Sequence, residues 1–125
     1  MFNRSRRNKS SKDRLSNCLN GINYAIEKEH NLIYIMTFVV IVLGLAVILK
    51  VNTYEILALV ITSGITFSLE LVNTAIEAVT DLAYSRENDL AKISKDSASA
   101  SVFIMTIITI ITVLIIFIPK IIELI

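Results

Sequence analysis

The chain has 125 residues, 54% of them hydrophobic and 18% charged, with a mean hydropathy of +0.69. That apolar content is too high for a soluble domain of ordinary charge and leads to the expectation of an all-α integral membrane protein. The net charge of +1 hides an uneven distribution, because Arg4, Arg6, Arg7, Lys9, Lys12 and Arg14 face Asp13 alone in a basic arm over 1–14. Such an arm suits anionic lipid or the cytoplasm. It lacks the aromatic interleaving of a nucleic-acid binder.

The first predicted element is an amphipathic helix over 15–30. Leu15, Cys18, Leu19, Ile22 and Ile26 recur at one-face helical spacing, with Asn17, Asn20, Asn23 and Glu27 on the other side, the pattern of a helix lying on the cytoplasmic membrane surface. Cys18 is the sole cysteine, which excludes an internal disulfide and a cysteine metal cluster. The first long apolar run starts at Leu32 without a small-residue cleavage pattern. It reads as a retained span over 32–49 rather than a secretory signal.

The joint Lys50-Val51-Asn52-Thr53 is short enough to force an antiparallel hairpin into a second span over 56–83. A charged joint follows, Ser85 to Ser97, carrying Arg86, Lys92 and Lys95 beside Glu87, Asp89 and Asp96. The third span is predicted over 100–118, with Pro119 as the residue that stops it. Lysine and arginine bias puts the arm and the second joint in the cytoplasm, and the Lys50 turn and the carboxyl terminus outside, in a multi-pass plasma-membrane protein. No repeat or second domain is visible.

The second span carries an acidic stripe. Glu70, Asn73, Thr74, Glu77 and Asp81 lie at offsets that share one helical face, and Ser63 and Thr66 extend it toward the Lys50 end. The rest of that helix is apolar, so the stripe must face protein or a wet pocket, since an acidic group at a span centre costs about 2.5 to 3.5 kcal/mol. Asparagine alone can hydrogen-bond helices together. Two carboxylates repel each other unless a proton or a cation intervenes. Mg²⁺ takes one or two carboxylates plus phosphates and waters, and Glu29 and Glu77, both at the cytoplasmic rim, can share one such ion.

Lys92, Lys95, Asp96 and Ser99 repeat on one face of the helix that enters the third span. A lysine there can neutralise transferring phosphate, or it can simply snorkel to the interface. The glycines are Gly21, Gly44 and Gly64, so no glycine-rich phosphate loop exists, and His30 is the single histidine.

The run from Glu70 through Asn73 and Glu77 to Asp81, followed by Leu90-Ala-Lys-Ile-Ser-Lys95-Asp96, resembles the bacterial diacylglycerol kinase and undecaprenol kinase family from about Gly21 onward. The resemblance implies a surface helix plus three spans, a homotrimer with shared active sites, and transfer of phosphate from Mg-ATP to a lipid hydroxyl. It implies Glu70 as general base, Glu29 and Glu77 as metal and nucleotide ligands, and Lys95 and Asp96 as further ATP contacts. Asn73 and Ser99 are implied at the lipid. Wording around Glu29-His-Asn31-Leu and Lys95-Asp96 is nearer the undecaprenol kinase branch, so undecaprenol is the expected acceptor and diacylglycerol the alternative. The sequence departs from the family at Arg86-Glu87-Asn88, where Glu-Tyr-His is frequent. It departs again at Asn17, where an aromatic is common, and at Ser10, where a basic residue is expected with Lys12 and Arg14 close by. From the residues alone, a non-catalytic oligomer or an ion-conducting bundle lined by the stripe stays open.

Overall fold

The computed structural model describes residues 10–84 and 87–125. Arg4, Arg6, Arg7 and Lys9 of the basic arm and Arg86 of the second joint lie outside the described residues. Four helices follow in order: α1 (Ser11–Lys28), α2 (His30–Ile48), α3 (Thr53–Ala83) and α4 (Asp89–Leu124). The last three are long and apolar enough to cross a membrane. Side chains such as Val40, Ile48, Phe103 and Ile115 are exposed along them, as a hydrocarbon surround permits.

Helix α1 starts before Leu15, where the Asp13 carboxylate accepts from the Ser10 backbone N–H at 3.1 Å. Part of its apolar face packs on the bundle. Cys18, Gly21, Ile22 and Ala25 line a cleft against Leu71, Thr74 and Ala75 of α3, and Ala25 is buried, while Leu15 and Leu19 are exposed. Glu29 is the single extended residue between α1 and α2 (φ −116°, ψ 107°), so its side chain is set at a bend rather than on a helical face.

The α2–α3 turn explains itself residue by residue. Val51 donates its N–H to the Ala46 carbonyl at 3.0 Å and Lys50 donates to Val47 at 3.2 Å, the paired bonds that close a helix C-terminus through a left-handed residue. That residue is Lys50, with φ of 50°. Asn52 then caps α3, accepting from the Glu55 N–H at 3.0 Å while Glu55 accepts from the Asn52 N–H at 2.9 Å. Around this turn sits an apolar cluster of Val42, Ala46, Val51, Leu59, Ile116 and Phe117.

Helix α4 begins at Asp89, well before residue 100, because Asn88 Oδ1 accepts from the N–H groups of Leu90 and Ala91 at 2.9 and 3.2 Å. The expectation that Pro119 stops the last helix is corrected, since α4 runs through it to Leu124. Proline removes one N–H and one backbone bond. In a helix passing through an apolar layer, neighbouring helices tolerate that loss. Here Lys120, the next residue, reaches Glu55 of α3 at 3.1 Å and ties the segment beyond the proline to the bundle.

Helix α3 packs most extensively on α4 and next on α2. Three side-chain pairs join α3 to α4: Asp81 with Lys95, Thr66 with Thr109, and Glu55 with Lys120. Successive pairs are 15 and 11 residues apart on α3 and 14 and 11 apart on α4, so the two helices run antiparallel in one register. A hydroxyl pair between membrane helices contributes on the order of 0.6 kcal/mol. Most hydroxyls instead back-bond within their own helix, as Thr62 does to Ala58 and Thr106 to Val102, both at 2.9 Å, which lets them sit among apolar neighbours.

Candidate functional site

The polar stripe of α3 turns inward. Ser63, Thr66, Glu70, Asn73 and Thr74 are buried, Glu77 is half-buried and Asp81 is exposed. Their inward facing follows from the position of α3, which packs most on α4, next on α2 and also on α1. Glu70 is the extreme case at 2% exposure, and among the described residues no other charged side chain is buried.

Around Glu70 the structure gathers two acidic groups from opposite directions along the chain. Glu29, at the bend between α1 and α2, and Glu77, two turns along α3, both act on its carboxylate by charge, and Asn31 of α2 lies near it. Asn73 donates from Nδ2 to Glu77 Oε1 at 3.2 Å. Its Oδ1 is buried and has no hydrogen-bond partner. A buried unpaired acceptor is costly in a finished core and is an open position for a donor or a cation.

The donor set here is hard oxygen, which suits Mg²⁺ rather than a soft metal. Among the described residues no three acidic, histidine or cysteine side chains stand together as a protein-only cage.

Lys95 is ion-paired with Asp81. With Thr80, Tyr84, Glu87, Asn88, Asp89 and Lys92 these two line an open, polar pocket of about 630 Å³ at the α3–α4 joint. Asp96 and Ser99 are exposed and do not line it, so within one chain the structure brings Lys92 and Lys95 to the pocket and leaves those two outside. Of the three departing positions in the joint, Glu87 and Asn88 line the pocket, and Asn88 is also the cap of α4.

A second cavity of about 310 Å³ continues the stripe from Glu70 toward the α2–α3 turn. It lies between Asn31, Tyr34, Ile35, Phe38 and Val39 of α2, Ser63 and Thr66 of α3, and Val102, Thr106, Thr109 and Ile110 of α4. Sequence reasoning missed Asn31 beside Glu70 and the α4 hydroxyls of this cavity. Thr106, Thr109 and Thr112 recur every three residues within an otherwise apolar run, and that spacing was the available signal.

With this geometry in view, the chain matches the family described as prokaryotic diacylglycerol kinase over residues 16–117. It is 34% identical over 106 residues to a diacylglycerol kinase of Synechocystis sp., covering 83% of this chain and 60% of that protein. It is also 42% identical over 82 residues to an undecaprenol kinase of Bacillus subtilis, covering 66% of this chain and 65% of that protein. The matches thus span less than two thirds of each relative's length.

Proposed function

The chain belongs to the prokaryotic diacylglycerol kinase family, and from that premise we propose that it is an ATP-dependent lipid kinase of the cell membrane. The observation that carries the reading is the burial of Glu70 within the bundle, with Glu29 and Glu77 near enough to act on its carboxylate by charge. A single deep carboxylate beside two rim carboxylates separates proton removal from phosphate binding. A non-catalytic bundle has no need of that separation.

Glu70 is the general base. It takes the proton of the lipid hydroxyl as that oxygen bonds to the γ-phosphorus, while the bond from γ-phosphorus to the bridging oxygen of ADP breaks and ADP leaves. The partnerless Oδ1 of Asn73 is an acceptor for orienting a reacting hydroxyl, and its amide holds Glu77 in place. Glu29 and Glu77 would hold Mg²⁺, which would offset the charge of the nucleotide's phosphates. Lys95 and Asp96 contact ATP, with Lys95 exchanging Asp81 for phosphate, and Ser99 contacts the lipid.

Undecaprenol is the proposed acceptor, giving undecaprenyl phosphate, supported by the higher identity to the B. subtilis undecaprenol kinase. Diacylglycerol, giving phosphatidic acid, is the second reading, supported by the Synechocystis relative. Three chains assemble with shared sites: Asp96 and Ser99, exposed in one chain, then face a neighbour, and the open cleft beside α1 gains a wall. Helix α1 lies on the cytoplasmic surface, the amino terminus is cytoplasmic and the carboxyl terminus, three spans later, is outside.

Purified protein in mixed micelles with labelled ATP, offered undecaprenol and diacylglycerol separately, tests this directly. Label is expected chiefly in undecaprenol. Label chiefly in diacylglycerol would exchange the acceptor, and none in either lipid would remove the kinase reading.

A further inference from the structure

Thr66 and Thr109 meet through their hydroxyls at 2.9 Å in the buried layer between α3 and α4. Each hydroxyl also stands 2.9 Å from a carbonyl of its own helix, Thr66 from Thr62 and Thr109 from Met105. Three oxygen contacts share two hydrogens, because a hydroxyl carries one. If both hydroxyls bonded to their own carbonyls, two lone pairs would face each other at 2.9 Å. One therefore donates across the interface, and either direction serves equally.

The two other clasps between these helices are ion pairs made by Lys95 and Lys120. A lysine ammonium rides on a flexible four-carbon stem and follows its partner through a slip of the helix. A threonine oxygen sits one bond from Cβ and moves with the backbone. Among the described hydrogen bonds and ion pairs between α3 and α4, the threonine pair is therefore the one tied most closely to the two backbones.

Glu70 is one helical turn from Thr66 on the same buried face, about 6 Å along the axis. In the register of the three clasps it lies level with Met105, and Asn73 lies level with Val102. A slip or roll of α4 changes both the apolar wall over the base and the distance from the base to Lys95. We propose that Thr66 and Thr109 form a positioning pair for the transfer reaction, holding Glu70 of α3 in reacting register with the α4 face that carries Lys95. This rests on the kinase reading above, and it adds two residues that touch neither nucleotide nor reacting oxygen.

The test is steady-state kinetics on the full-length protein in micelles for Thr66→Val, Thr109→Val, the double variant and Thr109→Ser, with thermal unfolding measured alongside. Valine keeps the shape and removes the hydroxyl, whereas serine keeps the hydroxyl. Each single valine variant is expected to lower kcat about tenfold and leave the KM for Mg-ATP within about twofold. The double variant should be no worse than either single one, and serine should restore kcat. An unchanged kcat in the single valine variants overturns the pairing role. Additive losses in the double variant, or failure of serine to restore kcat, overturn it too, as does a KM for Mg-ATP that rises in step with the fall in kcat. No transfer by the unsubstituted protein overturns the kinase reading and this role together, and so is distinguishable from the other outcomes.

Discussion

The two halves of α3 both pack against other helices of the bundle and are filled with opposite chemistry. Toward the α2–α3 turn, Leu59 packs with Val42, Ala46, Val51, Ile116 and Phe117, the turn's backbone groups are bonded, and Glu55 is tied to both Asn52 and Lys120. Toward the other end, the buried positions are Ser63, Thr66, Glu70, Asn73 and Thr74, one of which carries an unpaired oxygen. Apolar packing and closed hydrogen bonding at one end hold the helices together, so the other end can keep groups whose partners arrive only with substrate. Buried polar groups awaiting a ligand lower stability on their own. The difference teaches that the site half depends on the turn half to stay folded.

Substitutions on either side should separate the two roles. The largest effect is expected for Glu70→Gln, which should lower kcat by about 10² to 10⁴-fold while leaving Mg-ATP binding and unfolding little changed. Glu77→Gln should instead weaken Mg-ATP binding itself. Equal loss of nucleotide binding in both, measured by titration, would break the division between deep and rim carboxylates. Next in size, Leu59→Ala should lower stability by about 2 to 5 kcal/mol, read by denaturant or thermal unfolding, with kcat per folded molecule retained. A kcat that falls while stability holds would break the comparison from the other side. The smallest effect is expected at the turn, where Lys50 holds a left-handed conformation that costs a non-glycine residue about 1 kcal/mol. Lys50→Gly should raise the unfolding midpoint slightly without touching transfer, and a lowered midpoint would contradict the account of the turn.

Particular residues show how far the sequence could lead. The spacing of Ser63, Thr66, Glu70, Asn73, Thr74, Glu77 and Asp81 predicted an inward stripe because hydrocarbon tolerates no charged face; the first five are buried, Glu77 is half-buried and Asp81, near the joint, is exposed. The apolar face of α1 was legible only in part: Cys18 and Ile22 of that face line the cleft against α3 while Leu15 and Leu19 are exposed, because periodicity marks an apolar face without saying which of its residues a neighbouring helix covers. Pro119 was misread as a stop for a similar reason. Local geometry argues against a helix there, and the surrounding bundle with the Lys120–Glu55 pair overrides it.

The sequence by itself determined the class of the molecule, because the length and hydropathy of the runs fix which segments can cross an apolar layer. It also determined which side of α3 must be hidden, because the helical repeat aligns the charges whatever their neighbours. Only the tertiary structure decided what lies opposite that stripe. The bend between α1 and α2 brings Glu29 and Asn31 near Glu70, Lys95 meets Asp81, and Thr109 meets Thr66 across the α3–α4 register. Such pairings join residues far apart along the chain, and helical periodicity carries no information across a turn about how one helix slides against the next.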